Sequence, residues 1–117
     1  MEIRNHKPSE WRKLLWNSDI PSTGKLLALA VSEMADYNHG DSAHPGNKRL
    51  ARMVGKTEQS VRKTLKELRA AQVITRTAVN NRKYADEYQL SWPYDNGYPV
   101  GRPWGILVAP PDDGEPH

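Results

Sequence analysis

Between Pro45 and Trp92 the chain carries a pattern that leaves few folds open to it. Leu50, Ala51 and Val54 recur at helical spacing, and Gly55-Lys56 interrupts them. After Thr57 the period resumes with Val61, Leu65 and Leu68, Thr64 alongside. Two amphipathic helices separated by so few residues must bend sharply and bury their apolar stripes together. Gly46 or Asn47 is expected to start the first helix. Gly55 ends it, as suits a residue in the left-handed region, and Thr57 caps the second, which runs to about Gln72. Val73 to Val79 is rich in strand formers, Asn80-Asn81 can turn, and Tyr84 to Trp92 alternates, with Tyr84, Asp86, Tyr88, Leu90 and Trp92 on one side. The expected hairpin carries Arg82 and Lys83 near its tip. Asp86 on its apolar face predicts loose pairing there, and Pro93 is expected to end the second strand.

Upstream, Ser9 to Asn17 predicts a short helix capped by Ser9, with Trp11, Leu14 and Leu15 on one side and Trp16 widening the apolar surface. It is either a packing helix or a dimer arm. After a break at 18–21, Ser22 is expected to cap a helix to about Tyr37, with Leu27, Ala30, Val31 and Met34 inward. A polar loop follows, and Ser42 to His44 can form a very short strand. The expected class is α+β, mainly α: three core helices and a C-terminal hairpin, plus an extra N-terminal helix and a Pro/Gly-rich tail. The division is 1–20 as a helical arm, 21–92 as the central domain and 93–117 as an acidic tail, partly disordered or a dimer arm.

The net charge of +3 says little, but its distribution says more. From Gly46 to Lys83 eleven Lys/Arg face two acids, whereas from Pro93 to His117 one base faces four acids. Positive charge thus gathers on the two-helix segment and hairpin, the footprint expected for a polyanion partner. The absence of cysteine excludes disulfides, thiolate zinc sites and thiol catalysis. No apolar run approaches the roughly 20 residues that cross a bilayer. The first residues do not resemble a signal peptide, so a cytoplasmic location is expected.

With Val61 at the centre of the inner face, 100° per residue puts Gln59, Lys63, Lys66 and Ala70 nearly opposite, flanked by Ser60 and Arg62. Such a helix can lie in the major groove of DNA, where Arg reads guanine, Gln reads adenine, and Lys and Ser reach phosphates. Its first turn, with Lys56, Thr57 and Ser60, is where free N–H groups and the helix dipole favour an anion. Gln59, Arg62 and Lys63 are therefore the candidate base contacts. Lys56, Thr57, Ser60, Lys66, Arg82 and Lys83 are the candidate backbone contacts.

These features resemble the winged helix-turn-helix domains of phage and plasmid replication-initiator-type proteins and of many small bacterial regulators. The resemblance rests on the long first helix, His44-Pro45, Leu50-Ala51, Gly55, Thr57, Ser60-Val61, Thr64-Leu65, Leu68, Val73-Ile74 and Tyr88-Gln89-Leu90. It covers about Pro21 to Trp92. Gly46 stands for the usual Ser or Thr cap, Lys56 for an apolar residue, Gln72 for a glycine after the second helix, and Asn80-Asn81 for wing glycines. The resemblance implies double-stranded DNA as ligand, often bound as a dimer, and a regulator or replication accessory factor of a phage, plasmid or other mobile element.

No catalytic constellation is apparent, and no cofactor or small-molecule ligand is expected. His39, Asp41 and His44 offer metal-ligand types in one loop, but no fourth ligand is evident and a surface loop is the expected reading. Asp86-Glu87 and Asp112-Asp113 are adjacent, so within a strand their carboxylates would point apart. Trp92, Tyr94, Tyr98 and Trp104 can stack on single-stranded bases or pin the Pro-rich arm to the domain; the second use is favoured. Ile106-Leu107-Val108 needs cover from the domain or a dimer mate. The expectation is a non-enzymatic, sequence-specific duplex-DNA-binding protein, acting as a homodimer. A protein-docking module is the alternative, its acidic tail engaging a partner or folding back on the basic face; single-strand binding is a third.

Overall fold

A computed structural model describes residues 1–78 and 86–104. The fold is α+β, with four helices and a four-stranded antiparallel sheet among those residues. The order is β1 (Glu2–Asn5), α1 (Pro8–Trp16), α2 (Ser22–Ser32), α3 (Asn47–Val54), α4 (Glu58–Ala70), β2 (Ile74–Ala78), β3 (Glu87–Asp95) and β4 (Tyr98–Pro99).

The central pair of helices forms for local reasons. Gly55 follows α3 at φ +71°, a conformation that strains any residue with a side chain, and the chain reverses there. The Thr57 hydroxyl accepts from the Ser60 amide at 3.1 Å, capping α4 as expected. Val61, Thr64, Leu65 and Leu68 are buried against Leu27, Val31, Leu50 and the sheet. After α4 ends at Ala70, Gln72 takes φ +62°, doing the work a glycine more commonly does at this point.

Other boundaries differ from the sequence reading. α1 starts at Pro8, with Lys7 as its uncapped N-cap, so Ser9 lies inside the first turn and caps nothing. Proline at a first helical position needs no N–H and presets φ, which outweighs a serine cap one residue later. Pro21, not Ser22, is the N-cap of α2, and α2 stops at Ser32 rather than near Tyr37. Its end is decided by the loop beyond: Asp36 Oδ1 accepts from the Asn38 and His39 amides at 2.8 and 2.9 Å.

Pro93 does not end β3. The strand continues to Asp95, with Ile3 paired opposite Pro93 and Glu2 opposite Tyr94, while Tyr98 pairs back on Asp95. Proline is tolerated where the ladder does not call on its missing donor; the Pro93 carbonyl still accepts from Val100 N at 2.9 Å. β3 is the central strand, flanked by β1 on one edge and β2 on the other. The expected short strand near Ala43 is a single bridge to Tyr88. Near the hairpin's far end the register shifts between Arg76 and Ala78, and Arg76 pairs with the Asp86 carboxylate at 3.2 Å.

α1 belongs to the same core as the other helices. Trp11 and Leu15 are fully buried, and the Trp11 indole N–H donates to the carbonyls of both Val73 and Ser91 at 2.9 Å. These bonds join the N-terminal segment to β3 and to the residue just before β2, both distant in sequence. Trp92 and Tyr94 are also buried; Trp92 Nε1 donates to Val100 O at 2.8 Å and thereby holds the segment after β4. Trp104 packs partly against the core, whereas Tyr98 is exposed. No helix among the described residues is long and apolar enough to cross a membrane.

Candidate nucleic-acid interface

α4 presents two faces of opposite character. Its inner stripe is buried, while Gln59, Arg62, Lys63 and Lys66 are all exposed on the other side. Lys56 and Thr57 are exposed at its start. Ser60 is half-buried and lines a narrow cleft with Thr23, Leu26 and Val54 of α2 and α3, so it faces the helix junction more than solvent. Arg82 and Lys83 lie outside the described residues.

Electrostatics sharpen the contrast. Among the described residues Lys56, Lys63 and Lys66 have no acid within ion-pair distance, and the Gln59 side chain makes no hydrogen bond. Arg62 lies 3.9 Å from Glu58, one turn earlier, with both side chains largely exposed. Such a pair is worth only a few tenths of a kcal/mol and yields readily to a stronger anion. Three further cations, Lys48, Arg49 and Arg52 on α3, are also exposed and, among the described residues, without an acid partner. Sequence reasoning counted them in the charge balance but named none as a contact. Their signal was the scarcity of acids on α3 itself.

The start of α4 adds the partial positive charge of its free N–H groups. Thr57 Oγ1 already satisfies the Ser60 amide. Asp and Glu are sparse here: Glu58 is the one acid in the first turn. What gathers is a set of exposed cations and one amide side chain on one helix face, an arrangement suited to binding polyanions.

A second polar cluster lies elsewhere. Asp36, His39 and Asp41 bring one ligand atom each within 4.8 Å of one another; His44, which sequence reasoning had grouped with His39 and Asp41, is not among them. Asp36 is committed to its loop. The backbone N–H groups of His39 and then Asn38 hold its carboxyl below the usual carboxylate range, and His39 Nδ1 lies 3.1 Å from the same oxygen. The loop is pinned to the sheet where Leu90 N donates to Gly40 O at 2.8 Å. Gly40 has φ +74°, and a Cβ there would run into the His6 carbonyl.

No protein-family model matches the chain, and no solved structure matches it. A 45-residue stretch is 36% identical to the large ribosomal subunit protein uL24 of Korarchaeum cryptofilum (strain OPF8), over 38% of this chain and 34% of the relative. The chain spans about a third of that curated relative's length, which shows neither a shared family nor a shared fold.

Proposed function

We propose that this protein binds double-stranded DNA in a sequence-specific manner without catalysing a reaction. In this reading residues 21–92 form a winged helix-turn-helix domain, α4 is its recognition helix and the β2–β3 hairpin its wing. The observation that carries the reading is the set of unpartnered cations on α3 and α4 around an exposed helix face. Clustered like charges repel one another, and a polyanion relieves that repulsion while releasing its own counterions. Gln59, Arg62 and Lys63 would read base edges; Lys56, Thr57, Lys66, Arg82 and Lys83 would hold the backbone, with Ser60 contributing from the helix junction. The biological role is that of a regulator or replication accessory factor of a phage, plasmid or other mobile element, acting in the cytoplasm as a homodimer on a palindromic or repeated site.

The test is selection of bound sequences from a random duplex pool, followed by fluorescence anisotropy on the selected site across a salt series. Affinity should fall steeply with salt, with a slope of about −0.9 per phosphate neutralised. Symmetric half-sites would support two copies per site. A salt-independent affinity, no enrichment, or tighter binding to single-stranded DNA or duplex RNA would each overturn the proposal.

A further inference from the structure

Next to α4 an open groove of about 400 Å³ runs between the end of α1 and the start of α2. Trp16, Leu26 and Leu29 form its apolar wall, and its charged lining residues are Lys25 and Lys56, with no acid. Trp16 is 61% exposed and Leu26 47%, although Trp11 and Trp92 of the same chain are fully buried. Apolar side chains left open beside a basic rim can receive an apolar segment followed by acids.

Where the chain leaves the described residues points to the occupant. The Trp104 amide lies 3.3 Å from Asp19 Oδ1, and its ring sits beside Gly24, 3.6 Å from where a Cβ would be. Thr23 and Lys25, which flank Gly24, both line the groove. At roughly 3.3 Å per residue, the four residues to Val108 span about 13 Å, which exceeds the roughly 10–12 Å diameter of a helix. The segment can therefore run across the first turn of α2, with Ile106 and Leu107 over it and Val108 reaching its far side. The segment is apolar first and acidic next (Asp112, Asp113, Glu115), and the groove is apolar first and basic next, with Lys56 leading into α4.

We infer that the groove is the docking site of residues 106–115 of the same chain. Ile106, Leu107 and Val108 seat against Trp16, Leu26 and Leu29, and the three acids lie over Lys56, just before α4. Docking itself stands apart from the DNA reading. Its consequence rests on that reading: the acids compete with phosphates, and the tail restrains duplex binding.

The absence of cysteine makes a cross-link unambiguous. The full chain carrying Leu26→Cys and Leu107→Cys should form an intramolecular disulfide at least about tenfold faster than one carrying Tyr37→Cys and Leu107→Cys, because docking raises the local thiol concentration at one site only. Equal rates would overturn docking, and covalent dimers would assign the groove to a second copy instead. In the full chain, Asp112→Asn, Asp113→Asn and Glu115→Gln together should tighten duplex binding about fivefold or more, within the usual range of coupling between sites. Unchanged affinity with rapid cross-linking would overturn the restraint. If no form binds duplex at any salt concentration, the DNA reading fails, and the cross-link alone decides docking.

Discussion

The arginines of α3 and early α4 are used differently from the others among the described residues. Arg4 meets Glu2 at 3.1 Å, Arg12 meets Ser32 and Glu33 at 3.1 and 3.2 Å, Arg76 meets Asp86 at 3.2 Å, and Arg102 lies 3.8 Å from Asp19. Arg69, at the far end of α4, donates to the Tyr88 hydroxyl at 3.3 Å. Among the described residues Arg49 and Arg52 have no such partner, and Arg62 has only a distant one. One residue type thus closes local structure in one region and is left open in another. A guanidinium without a carboxylate keeps all its donors for an external acceptor, which is why the open set, and not the net charge, marks the candidate interface.

The comparison predicts that stability and binding separate by region. The largest effect should come from Trp11→Ala, which empties a fully buried site and removes the donor to two carbonyls. A loss of about 3–5 kcal/mol is expected from urea unfolding; a loss near zero would mean that α1 is peripheral to the core. Next is Arg62→Ala, which should cost roughly 1–3 kcal/mol at the selected site and relax its sequence preference, whereas Lys83→Ala should weaken all duplexes about equally. Gel shifts in which both variants match wild type would erase the distinction between the two contact classes.

Smaller effects probe the arginines directly. Arg52→Ala should reduce duplex affinity and the salt slope by about one phosphate's worth, while its melting temperature stays unchanged. Arg76→Ala should do the reverse, costing roughly 0–1 kcal/mol of stability as expected for an exposed pair. If Arg52→Ala melted lower and bound normally, the contrast would be lost. The smallest effect is alkaline. Burial pushes the Tyr88 phenol above its ordinary value, so the unfolded chain loses this proton first as pH rises. The associated stability is fully present below about pH 10, the unfolded value, and is lost as pH rises through the higher folded value. Tyr88→Phe should flatten that part of the curve, and an identical alkaline profile for both proteins would assign it to other groups.

What could be read from the sequence was local. Gly55, Thr57 and the Val61-Leu65-Leu68 stripe each act within a few residues, and the structure bears them out; Tyr88, Leu90 and Trp92 are buried as read, but so are Gln89 and Ser91 between them. The candidate contacts on α4 were legible for the same reason, since helical periodicity alone separates Gln59, Arg62, Lys63 and Lys66 from the buried stripe. The half-burial of Ser60 was not legible, because its surroundings come from α2 and α3, which helical angle does not report.

The sequence by itself determined the central helix pair, its cap and turn, and the segregation of positive charge, because adjacent residues and backbone geometry suffice for these. Only the tertiary structure decided that β1 pairs with β3, that the strand runs through Pro93, and that Trp11 ties the first helix to Val73 and Ser91. Those features rest on groups brought together from positions 62 to 92 residues apart. Four exposed residues such as Glu2–Asn5 carry no apolar alternation to announce a strand; they become one because β3 offers them an edge of unpaired backbone donors and acceptors.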